Sequence, residues 1–457
     1  MRRFALPLMF LFVAACTAET SSPAVADHFE VVQAPAKGTP GRALDSLVIV
    51  RLIDADGHSM PGVSVSWSVL TGNGSLSAVT DATNSEGLAV AAWTMGGTPG
   101  ENTLRVLAGG GPTRDVSVDA RGLEGVEIAV ASNAACILTA AGAVWCWGDG
   151  VLDYPGNRFN YGPRPVLVDS GHVFRSIVAG DQHFCALTEA GAAWCWGSPI
   201  YGRVGRGDTV SAPFTPGPVV GGHSFTQLSA ADWGVLAVDG TGALWRWGST
   251  RESNAEVPIS VPEDVSVPGV IFTKVFAGYI HMCALEADGT AWCRGHGDVG
   301  QTGDSLHRTD RAVFFPLPTT TKFGSIAIGW HFSCGVALAG TMWCWGESIF
   351  SPNISLSVSW NPYQVEGSGF GSAIANYRTL VATSGGGLSA ASDDSYSPTV
   401  AGLPSTTLTP LVGASNGVTR VSVRDQTLCL LRGGAVMCAG EVPGYGTAAS
   451  PIGIPAP

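Results

Sequence analysis

The residues of this chain best suited to chemistry are its cysteines, which recur in pairs. Ten of the eleven cysteines fall at Cys136/Cys146, Cys185/Cys195, Cys283/Cys293, Cys334/Cys344 and Cys429/Cys438. The first four pairs are ten residues apart and the last is nine apart. Thiols can bond to each other, bind zinc or exchange electrons, so the spacing must distinguish three kinds of chemistry.

The stretch FCALTEAGAAWCWG (184–197) predicts an antiparallel hairpin with Cys185 opposite Cys195. Its loop is then 189–191, and three-residue hairpin loops favour a left-handed glycine in the last position. The glycines at that position in the four ten-spaced pairs are Gly142, Gly191, Gly289 and Gly340. The nine-spaced pair has the loop Gly433-Gly434, which suits a two-residue turn, so the pairing survives the deletion.

Directly opposed cysteines on antiparallel strands lie close enough to bond. We therefore predict five structural disulfides, with zinc binding and redox activity as disfavoured alternatives. Zinc sites use more closely spaced ligands, and redox pairs usually have the spacing C-x-x-C. A related stretch, SAADWGVLAVDGTGALWRWG (229–248), has Leu236 and Arg246 at the two cysteine positions. Both cysteines are missing together, as expected of bonded partners.

The cysteine hairpins belong to a repeat of about 50 residues. The glycine that ends each W-C-W-G phrase falls at 148, 197, 248, 295 and 346, and again at 440. The last gap holds two repeats, of which one, near residues 372–400, is degenerate. Seven Gly-rich repeats of strands at this period are typical of a closed propeller. Nine of the fourteen tryptophans lie at the aromatic positions of this phrase, where we expect them to form the core.

The phrases VAGDQHFCALTEAGAAWCWG (178–197) and FAGYIHMCALEADGTAWCRG (276–295) resemble the repeat of the regulator of chromosome condensation family. YGRVGRGD (201–208) and GDVGQTGD (297–304) resemble its Gly-Gln-Leu-Gly turn. The resemblance implies a seven-bladed β-propeller over residues 122–457. It also implies that His183 and His281 tie loops to the backbone. From the strand-like end ASPIGIPAP (449–457), we predict that Ile452–Ile454 joins the first blade beside Val126–Ala131 and closes the ring.

The first residues, MRRFALPLMFLFVAAC, combine two arginines, a short apolar run and a terminal cysteine. This resembles a bacterial lipoprotein signal, so we predict a signal peptide at 1–15, lipidation of Cys16 and a flexible tether at 16–27. Residues 28–121 show strand alternation and a D-x-x-G-x-P-V-x-G-V-like stretch near 56–63. They resemble the immunoglobulin-like domains of the invasin and intimin type, which implies a small β-sandwich used as a stalk. The expected fold class is all-β.

The formal charge of −12 and the lack of Lys/Arg-rich runs exclude nucleic acid as an expected partner. No nucleophile elbow, phosphate loop or zinc-protease motif occurs, so we expect no catalytic residues, no cofactor and no metal. Asp298, Asp304 and Asp310 are interpreted as a solvated loop rather than a cation site. Membrane contact is expected through the N-terminal lipid only.

The leading functional hypothesis is a monomeric protein-binding module, displayed from the outer membrane or cell surface. We expect its binding face on the long loops 150–165, 198–215 and 295–312, which contain Tyr and Arg residues of the kind favoured in interfaces. The candidate residues are Tyr154, Arg158, Tyr161, Tyr201, Arg203, Arg206, His307 and Arg308. One alternative is guanine-nucleotide exchange on a GTPase, which the family resemblance suggests. The other is a protein that binds or acts on envelope glycans.

Overall fold

The computed structural model describes residues 24–96, 100–120, 122–151, 158–168, 171–209, 215–249, 258–305, 310–347, 358–385, 387–392, 405–411 and 417–454. These residues form an all-β protein with nine four-stranded sheets and one 3-10 helix, Ile200–Gly202. In this part of the chain, no helix is long and apolar enough to cross a bilayer. Cys16 and the predicted signal peptide lie outside the described residues.

The first eight strands form two sheets that share one core. Their order is β1-β3-β6-β5 in one sheet and β2-β8-β7-β4 in the other. Val48, Val50 and Leu52 alternate along β3 to face inward, and they pack against Leu104 and Val106 of β7. The strands are β1 (Ala26–Gln33), β2 (Lys37–Gly38), β3 (Val48–Asp54), β4 (Val65–Val69), β5 (Ser75–Val79), β6 (Leu88–Thr94), β7 (Gly100–Ala108) and β8 (Thr113–Ala120).

The remaining strands form seven antiparallel sheets, each built from four consecutive strands. The first sheet has β9 (Glu127–Val130), β10 (Ala134–Leu138), β11 (Val144–Val151) and β12 (Arg158–Leu167); the second β13 (Phe174–Ala179), β14 (His183–Thr188), β15 (Ala193–Gly197) and β16 (Gly217–Pro218); the third β17 (Phe225–Ala230), β18 (Gly234–Asp239), β19 (Leu244–Gly248) and β20 (Ile259–Asp264); the fourth β21 (Phe272–Ala277), β22 (His281–Glu286), β23 (Ala291–Gly295) and β24 (Arg311–Pro316). The fifth has β25 (Phe323–Ile328), β26 (Phe332–Ala337), β27 (Met342–Glu347) and β28 (Val358–Val365); the sixth β29 (Phe370–Asn376), β30 (Thr379–Ser384), β31 (Gly387–Ser392) and β32 (Ser405–Pro410); the seventh β33 (Val418–Arg424), β34 (Thr427–Arg432), β35 (Ala435–Val442) and β36 (Gly446–Gly453).

Five of these sheets carry a disulfide between their second and third strands. Each bond joins directly opposed cysteines whose Cα atoms are 4.0–4.1 Å apart, a distance typical of a non-hydrogen-bonded pair. The bonds are Cys136–Cys146, Cys185–Cys195, Cys283–Cys293, Cys334–Cys344 and Cys429–Cys438. In the third sheet, Leu236 faces Arg246 at the equivalent position. The predicted hairpin glycines have positive φ, as the turns require.

The two faces of a disulfide-bearing sheet carry different side chains. In the second sheet, Phe184 and Trp196 are paired across β14 and β15 with ring centroids 5.7 Å apart, and the Cys185–Cys195 bond points to the other face. The aromatic face packs against the Cys136–Cys146 disulfide of the preceding sheet. Because Trp196 and both disulfides are fully buried, this contact excludes water between neighbouring sheets.

The contact between the disulfide of one sheet and the aromatic side chains of the next recurs between other sheets. The Cys185–Cys195 bond packs against Phe225 and Trp247 of the third sheet. At the end of the series, the Cys429–Cys438 bond packs against Trp147 of the first sheet. Neighbouring first strands also touch in turn, from β9 through β33 and back to β9. The seven sheets therefore form a closed ring with their first strands innermost.

Among the described residues, the same hydrogen bond at the hairpin loop joins each of the first five sheets to the next. The carbonyl of Gly191 accepts the N–H of Phe225, which begins the next sheet, at 2.8 Å. The same bond links Gly142 to Phe174, Gly242 to Phe272, Gly289 to Phe323 and Gly340 to Phe370. The tight hairpin therefore positions the sheet that follows it.

The prediction that Ile452–Ile454 joins the first sheet is wrong. β36 pairs with β35 of its own sheet, with Ile452 opposite Cys438, and not with residues 126–131 of the first sheet. Instead, the segment before the first sheet joins the last one. The Leu123 N–H donates to the Ile454 carbonyl at 2.8 Å, and the Val436 N–H donates to the Leu123 carbonyl at 2.9 Å. The Leu123 segment, which leads into the first sheet, therefore bonds both to Val436 of β35 and to Ile454 after β36, and it joins the seventh sheet to the first.

We expect Gly191→Ala to destabilise the ring more than a glycine substitution without a close neighbour. Gly191 has φ +83°, and an added Cβ would lie 2.6 Å from the Phe225 carbonyl oxygen. Gly269 has a similar φ of +80° with nothing within 4 Å, so Gly269→Ala is the matched control. The control should cost about 1–2 kcal/mol, and Gly191→Ala about 1–3 kcal/mol more. Guanidinium denaturation measures both; equal losses would contradict the role of this contact.

Candidate functional site

The first and third strands of each sheet in the ring end at the same side of the ring. In the second sheet, His183 pairs with Gly197 at one end of the hairpin and Leu187 pairs with Ala193 at the other. The turn at 180–182 and the segment after Gly197 therefore emerge together. Each of the three predicted binding loops follows the third strand of its sheet, so all three share this side, which we call the loop face. The hairpin glycines lie at the opposite end.

Two of the predicted binding residues, Tyr201 and Arg203, meet at the loop face. Tyr201 contacts Trp233 edge-on at 5.0 Å and has a left-handed backbone with φ 63°. Arg203 is fully buried, with its guanidinium 5.3 Å from the Trp233 ring and its Nε donating to the Ile200 carbonyl at 3.0 Å. The Arg203 carbonyl also accepts the indole N–H of Trp247. Arg203 thus organises the loop, and its guanidinium is not exposed to a partner.

The other predicted residues are spread more widely. Arg206 is half-buried, and its Nη1 donates to the Thr215 carbonyl within its own loop at 3.4 Å. Arg158 and Tyr161 lie in strand β12 rather than in a loop. Tyr154, His307 and Arg308 lie outside the described residues. Among the described candidates, only Tyr201 and Arg203 are brought together.

A cavity of about 110 Å³ opens at the centre of the loop face. It is lined by the ends of the first strands from all seven sheets, because those strands are innermost. Small residues and backbone form much of its wall, and the polar side chains on it include Asp232, Tyr279, Tyr377 and Arg424. We call this space the axial cavity.

One side of the axial cavity carries charged groups that pair across the ring. Arg424 of the seventh sheet forms an ion pair with Asp232 of the third, although the two residues are 192 positions apart. Asp181 of the second sheet accepts a hydrogen bond from the Ser132 hydroxyl of the first. Asp425 lies next to Arg424 in a two-residue turn, where its φ is 46°. Three carboxylates therefore surround one guanidinium.

Burial and charge shift the proton affinities of these groups. Burial raises the pKa of the Asp181 carboxyl, and the carboxylates of Asp232 and Asp425 act in the same direction, against the effects of Arg424 and Ser132. Burial lowers the pKa of Arg424, but Asp232, Asp181 and Asp425 outweigh it, so the net shift is upward. The guanidinium is therefore charged at all working pH values, and it holds the acidic groups together.

The other side of the axial cavity is aromatic. Tyr279 makes edge-on contacts with Trp233, Trp330 and Tyr377, at centroid distances of 6.1, 6.0 and 6.2 Å. Trp330 stacks on Tyr377 at 4.4 Å, and the Arg378 guanidinium lies 5.7 Å from the Trp330 ring. All four aromatic rings are half-buried. They follow the first strands of four consecutive sheets, so the ring geometry alone makes them neighbours.

The two repeat histidines are buried below this face. His281 is 1 % exposed, and its Nε2 lies 2.7 Å from the Ser333 hydroxyl, which donates to the Gln301 carbonyl at 3.0 Å. The Ser333 proton is thus committed, so His281 must donate through Nε2–H. Burial lowers the pKa of His281 to about 3 and holds that of His183 well below its usual value. His281 joins two sheets through a side chain, where we expected a bond to backbone.

A second cavity, of about 430 Å³, opens at the opposite end of the ring. Glu127 lines it, accepts the Ile177 N–H at 2.9 Å and has its pKa raised by burial. Gln227 bonds both backbone groups of Val275 in the next sheet. Glu127 and Gln227 thus join neighbouring first strands at this end of the ring.

In the N-terminal sheets, Asp54, Asp56 and His58 are close enough together to hold a metal ion. However, Asp54 already accepts the backbone N–H groups of Asp56 and His58, which is a turn-forming arrangement, and His58 is 78 % exposed. The turn explains the cluster. The carboxylate of Asp304, which we had interpreted as part of a solvated loop, is instead 5 % exposed and paired with Arg311.

Sequence reasoning missed the axial cavity, although a signal was present. Two residues before the second strand of several repeats, the chain has an acidic or aromatic residue: Asp181, Asp232, Tyr279, Trp330 and Asp425. Aligning the repeats on their cysteines would have shown this position as a column. The alignment alone would not have shown that the column converges on one axis.

The fold is an all-β arrangement of repeated four-stranded sheets with the features of the regulator of chromosome condensation (RCC1) repeat. The family model for that repeat matches residues 174–203, which cover β13 to Arg203. Two solved structures share the fold: human WBSCR16, with a TM-score of 0.57 at 15% identity over 66% of this chain and 88% of that one, and Prp20p from Saccharomyces cerevisiae, with a TM-score of 0.57 at 19% identity over 70% and 86%.

Curated relatives are similar to parts of this chain. The human regulator of chromosome condensation is 30% identical over 36% of this chain and 41% of its own length. The guanine nucleotide exchange factor SRM1 of Saccharomyces cerevisiae is 26% identical over 50% of this chain and 54% of its own. The Arabidopsis thaliana RCC1 domain-containing protein RUG3, mitochondrial, is 29% identical over 27% and 29%. The chain thus spans from under a third to about half of the length of these relatives.

The neutral burial of His281 predicts a specific loss of stability in acid. Its folded pKa of about 3 lies below the unfolded value of 6.5, so below pH 6.5 the unfolded state binds a proton that the folded state does not. Stability then falls with falling pH, by up to about 1.4 kcal/mol per unit between pH 6 and 4. His281→Gln should flatten the curve by that amount in guanidinium denaturation, whereas His58→Gln, at an exposed position, should not. Parallel wild-type and His281→Gln curves would contradict this assignment.

Proposed function

We propose that this protein is an exported, lipid-anchored recognition protein without catalytic activity. In this proposal the ring is a seven-bladed RCC1-type propeller that binds another protein through its loop face. The two N-terminal sheets form an immunoglobulin-like sandwich that acts as a stalk, and Cys16 carries the lipid. The protein acts as a monomer at the outer membrane or cell surface of a bacterium.

The observation that carries this proposal is the axial cavity on the loop face. The charged groups at the cavity come from the second, third and seventh sheets, the Ser132 hydroxyl comes from the first, and the aromatic rings come from the third to the sixth. A group of side chains assembled by the whole ring is rigid, and rigid sites bind with a small entropy cost. Asp232 and Asp181 are held by Arg424 and Ser132, which suits recognition better than proton transfer.

Export is supported by the disulfides. The five bonds are at most 3 % exposed and form part of the contacts between sheets. Disulfides of this kind persist in oxidising compartments, whereas cytosolic thiols are kept reduced. Together with the lipoprotein-like N-terminus, they favour a protein that folds outside the cytoplasm. The −12 charge disfavours a nucleic-acid partner.

Similar proteins support protein binding. Prp20p is described with binding properties to Gsp1p and histones, and yeast RCC1 (Prp20) has been solved bound to Kap60. Nucleotide exchange is the second candidate function, because SRM1 is a guanine nucleotide exchange factor. Release of a fluorescent guanine nucleotide from a purified small GTPase, accelerated by catalytic amounts of this protein, would favour it. The disulfides argue against it, since GTPases work in the reducing cytosol.

Lipidation can be tested on the full-length chain expressed in a bacterial host. We expect the mature protein to begin at residue 16 and to carry acyl groups on Cys16, as measured by mass spectrometry. Cys16→Ser should remain unacylated, because the thiol is the attachment site. A mature N-terminus elsewhere, or a Cys16 without acyl groups, would contradict the anchoring proposal.

Partner binding can be tested by affinity capture of the full-length protein from envelope and secreted fractions of its own cell. We expect one stoichiometric protein partner, lost at least tenfold from Tyr279→Ala/Trp330→Ala, which removes part of the loop face. Lys322→Ala is the control, because Lys322 pairs with Asp288 at the opposite end of the ring. If wild type recovers no stoichiometric protein, or if the loop-face variant recovers as much as wild type, the proposal fails.

A further inference from the structure

We propose that the axial cavity takes one cationic side chain, a lysine or arginine, from the partner protein. The inference rests on the proposed function and names the chemistry of its central contact. It follows from the charge balance of the cavity, the chemistry of its walls and its size, each of which is independent of the others.

The charge balance of the loop face leaves room for one cation. Asp232 lines the axial cavity, and Asp181 and Asp425 interact electrostatically with Arg424 beside it, so three carboxylates accompany two guanidinium groups, those of Arg424 and the buried Arg203. On the aromatic side, the charge of Arg378 is balanced by Glu347, whose Oε1 lies 3.9 Å from Nη2 of Arg378. The excess is one negative charge when all carboxylates are ionised. A group with a single positive charge neutralises the site, and an anionic ligand would add to the excess.

Asp425 is the carboxylate placed to receive that cation. Asp232 is committed to Arg424, and Asp181 to Ser132. Asp425 makes no hydrogen bond or ion pair with the described residues, although it interacts electrostatically with Asp181 and Arg424. It is half-buried, so its charge is only partly screened by water. It directly follows Arg424, which lines the cavity, in a two-residue turn where its φ is 46°.

The aromatic wall already contacts guanidinium groups of this chain. Arg203 lies 5.3 Å from the centre of the Trp233 ring, and Arg378 lies 5.7 Å from that of Trp330. Both distances are within the range of cation–π attraction. Tyr279 and Tyr377 face the cavity between these two flanks. A lysine or arginine that enters there meets rings on one side and carboxylates on the other.

The size of the cavity favours a single side chain over a sugar. Its volume of about 110 Å³ is well below the roughly 300 Å³ at which pockets for whole small molecules begin. It is still several times the roughly 10–15 Å³ needed for one water molecule. The head of one long side chain fits this space, whereas a glycan would have to remain on the outer surface of the loop face.

The first test measures binding of three blocked peptides to the full-length protein: acetyl-Gly-Lys-Gly-amide, its arginine counterpart and its neutral norleucine counterpart. Saturation-transfer NMR gives the affinities at low salt. We expect the lysine or arginine peptide to bind at least fivefold more tightly than norleucine, with a preference that weakens as salt increases. Methyl glucoside is the neutral sugar probe. Equal binding of all three peptides, or binding of the sugar alone, would overturn the inference.

The matched variants are Asp425→Asn and Glu189→Gln. Asparagine has nearly the shape of aspartate and tolerates a left-handed backbone, so the turn should remain folded. Glu189 is exposed on a hairpin loop at the opposite end of the ring, and its replacement removes the same charge elsewhere. We expect Asp425→Asn to abolish the preference for the cationic peptide and Glu189→Gln to preserve it. Equal preferences in both variants would refute the role of Asp425.

Partner capture separates a failure of this inference from a failure of the proposed function. If Asp425→Asn retains the captured partner in full and cationic peptides do not bind, the loop face binds protein without a cationic anchor, and only the inference fails. If wild type captures no protein, the proposed function fails as well. If Asp425→Asn loses the partner and the cationic peptide together, the inference and the proposed function are both supported.

Discussion

The contact between the disulfide face of one sheet and the aromatic face of the next is the interaction on which the rest of this structure depends. Each sheet has apolar side chains on both faces, and a single repeat cannot bury them without its neighbours. Stacking the Cys136–Cys146 bond on Phe184 and Trp196, and repeating this contact around the ring, buries both faces at once. The repeated hydrogen bond from a hairpin glycine to the first phenylalanine of the next sheet sets the spacing of these contacts.

Closure of the ring gives the inner strands a different role from the outer ones. The first strands meet around the axis, and their ends open into the axial cavity, where small side chains and backbone form much of the wall. Polar groups at those ends come from sheets that are distant in the chain, as the Arg424–Asp232 ion pair shows. A buried charge is stable only with a partner, so these charges depend on the ring to hold distant sheets in register.

The loop face combines a rigid framework with locally unfavourable backbone. Tyr201, Tyr377 and Asp425 all have left-handed φ values, and all three lie at this face. Such conformations cost free energy for residues other than glycine and persist when the surroundings hold them. The opposite end of the ring has its left-handed positions filled by glycine, as in the hairpin loop at Gly191. Among the described residues of the ring, the left-handed positions that are not glycine therefore all lie at the loop face.

The sequence by itself determined the hairpins, the disulfide pairs and the repeat, because these depend on contacts between residues about ten positions apart and on local turn chemistry. Gly191 and the pair Gly433-Gly434 illustrate this, since each loop length requires its own glycines. Only the tertiary structure decided how the ring closes through Leu123, and which polar residues meet at the axis. Asp181, Asp232 and Asp425 are separated along the chain by about one and four repeats, and no local pattern encodes that they surround one guanidinium. The ring brings them together because every first strand ends at the same axis.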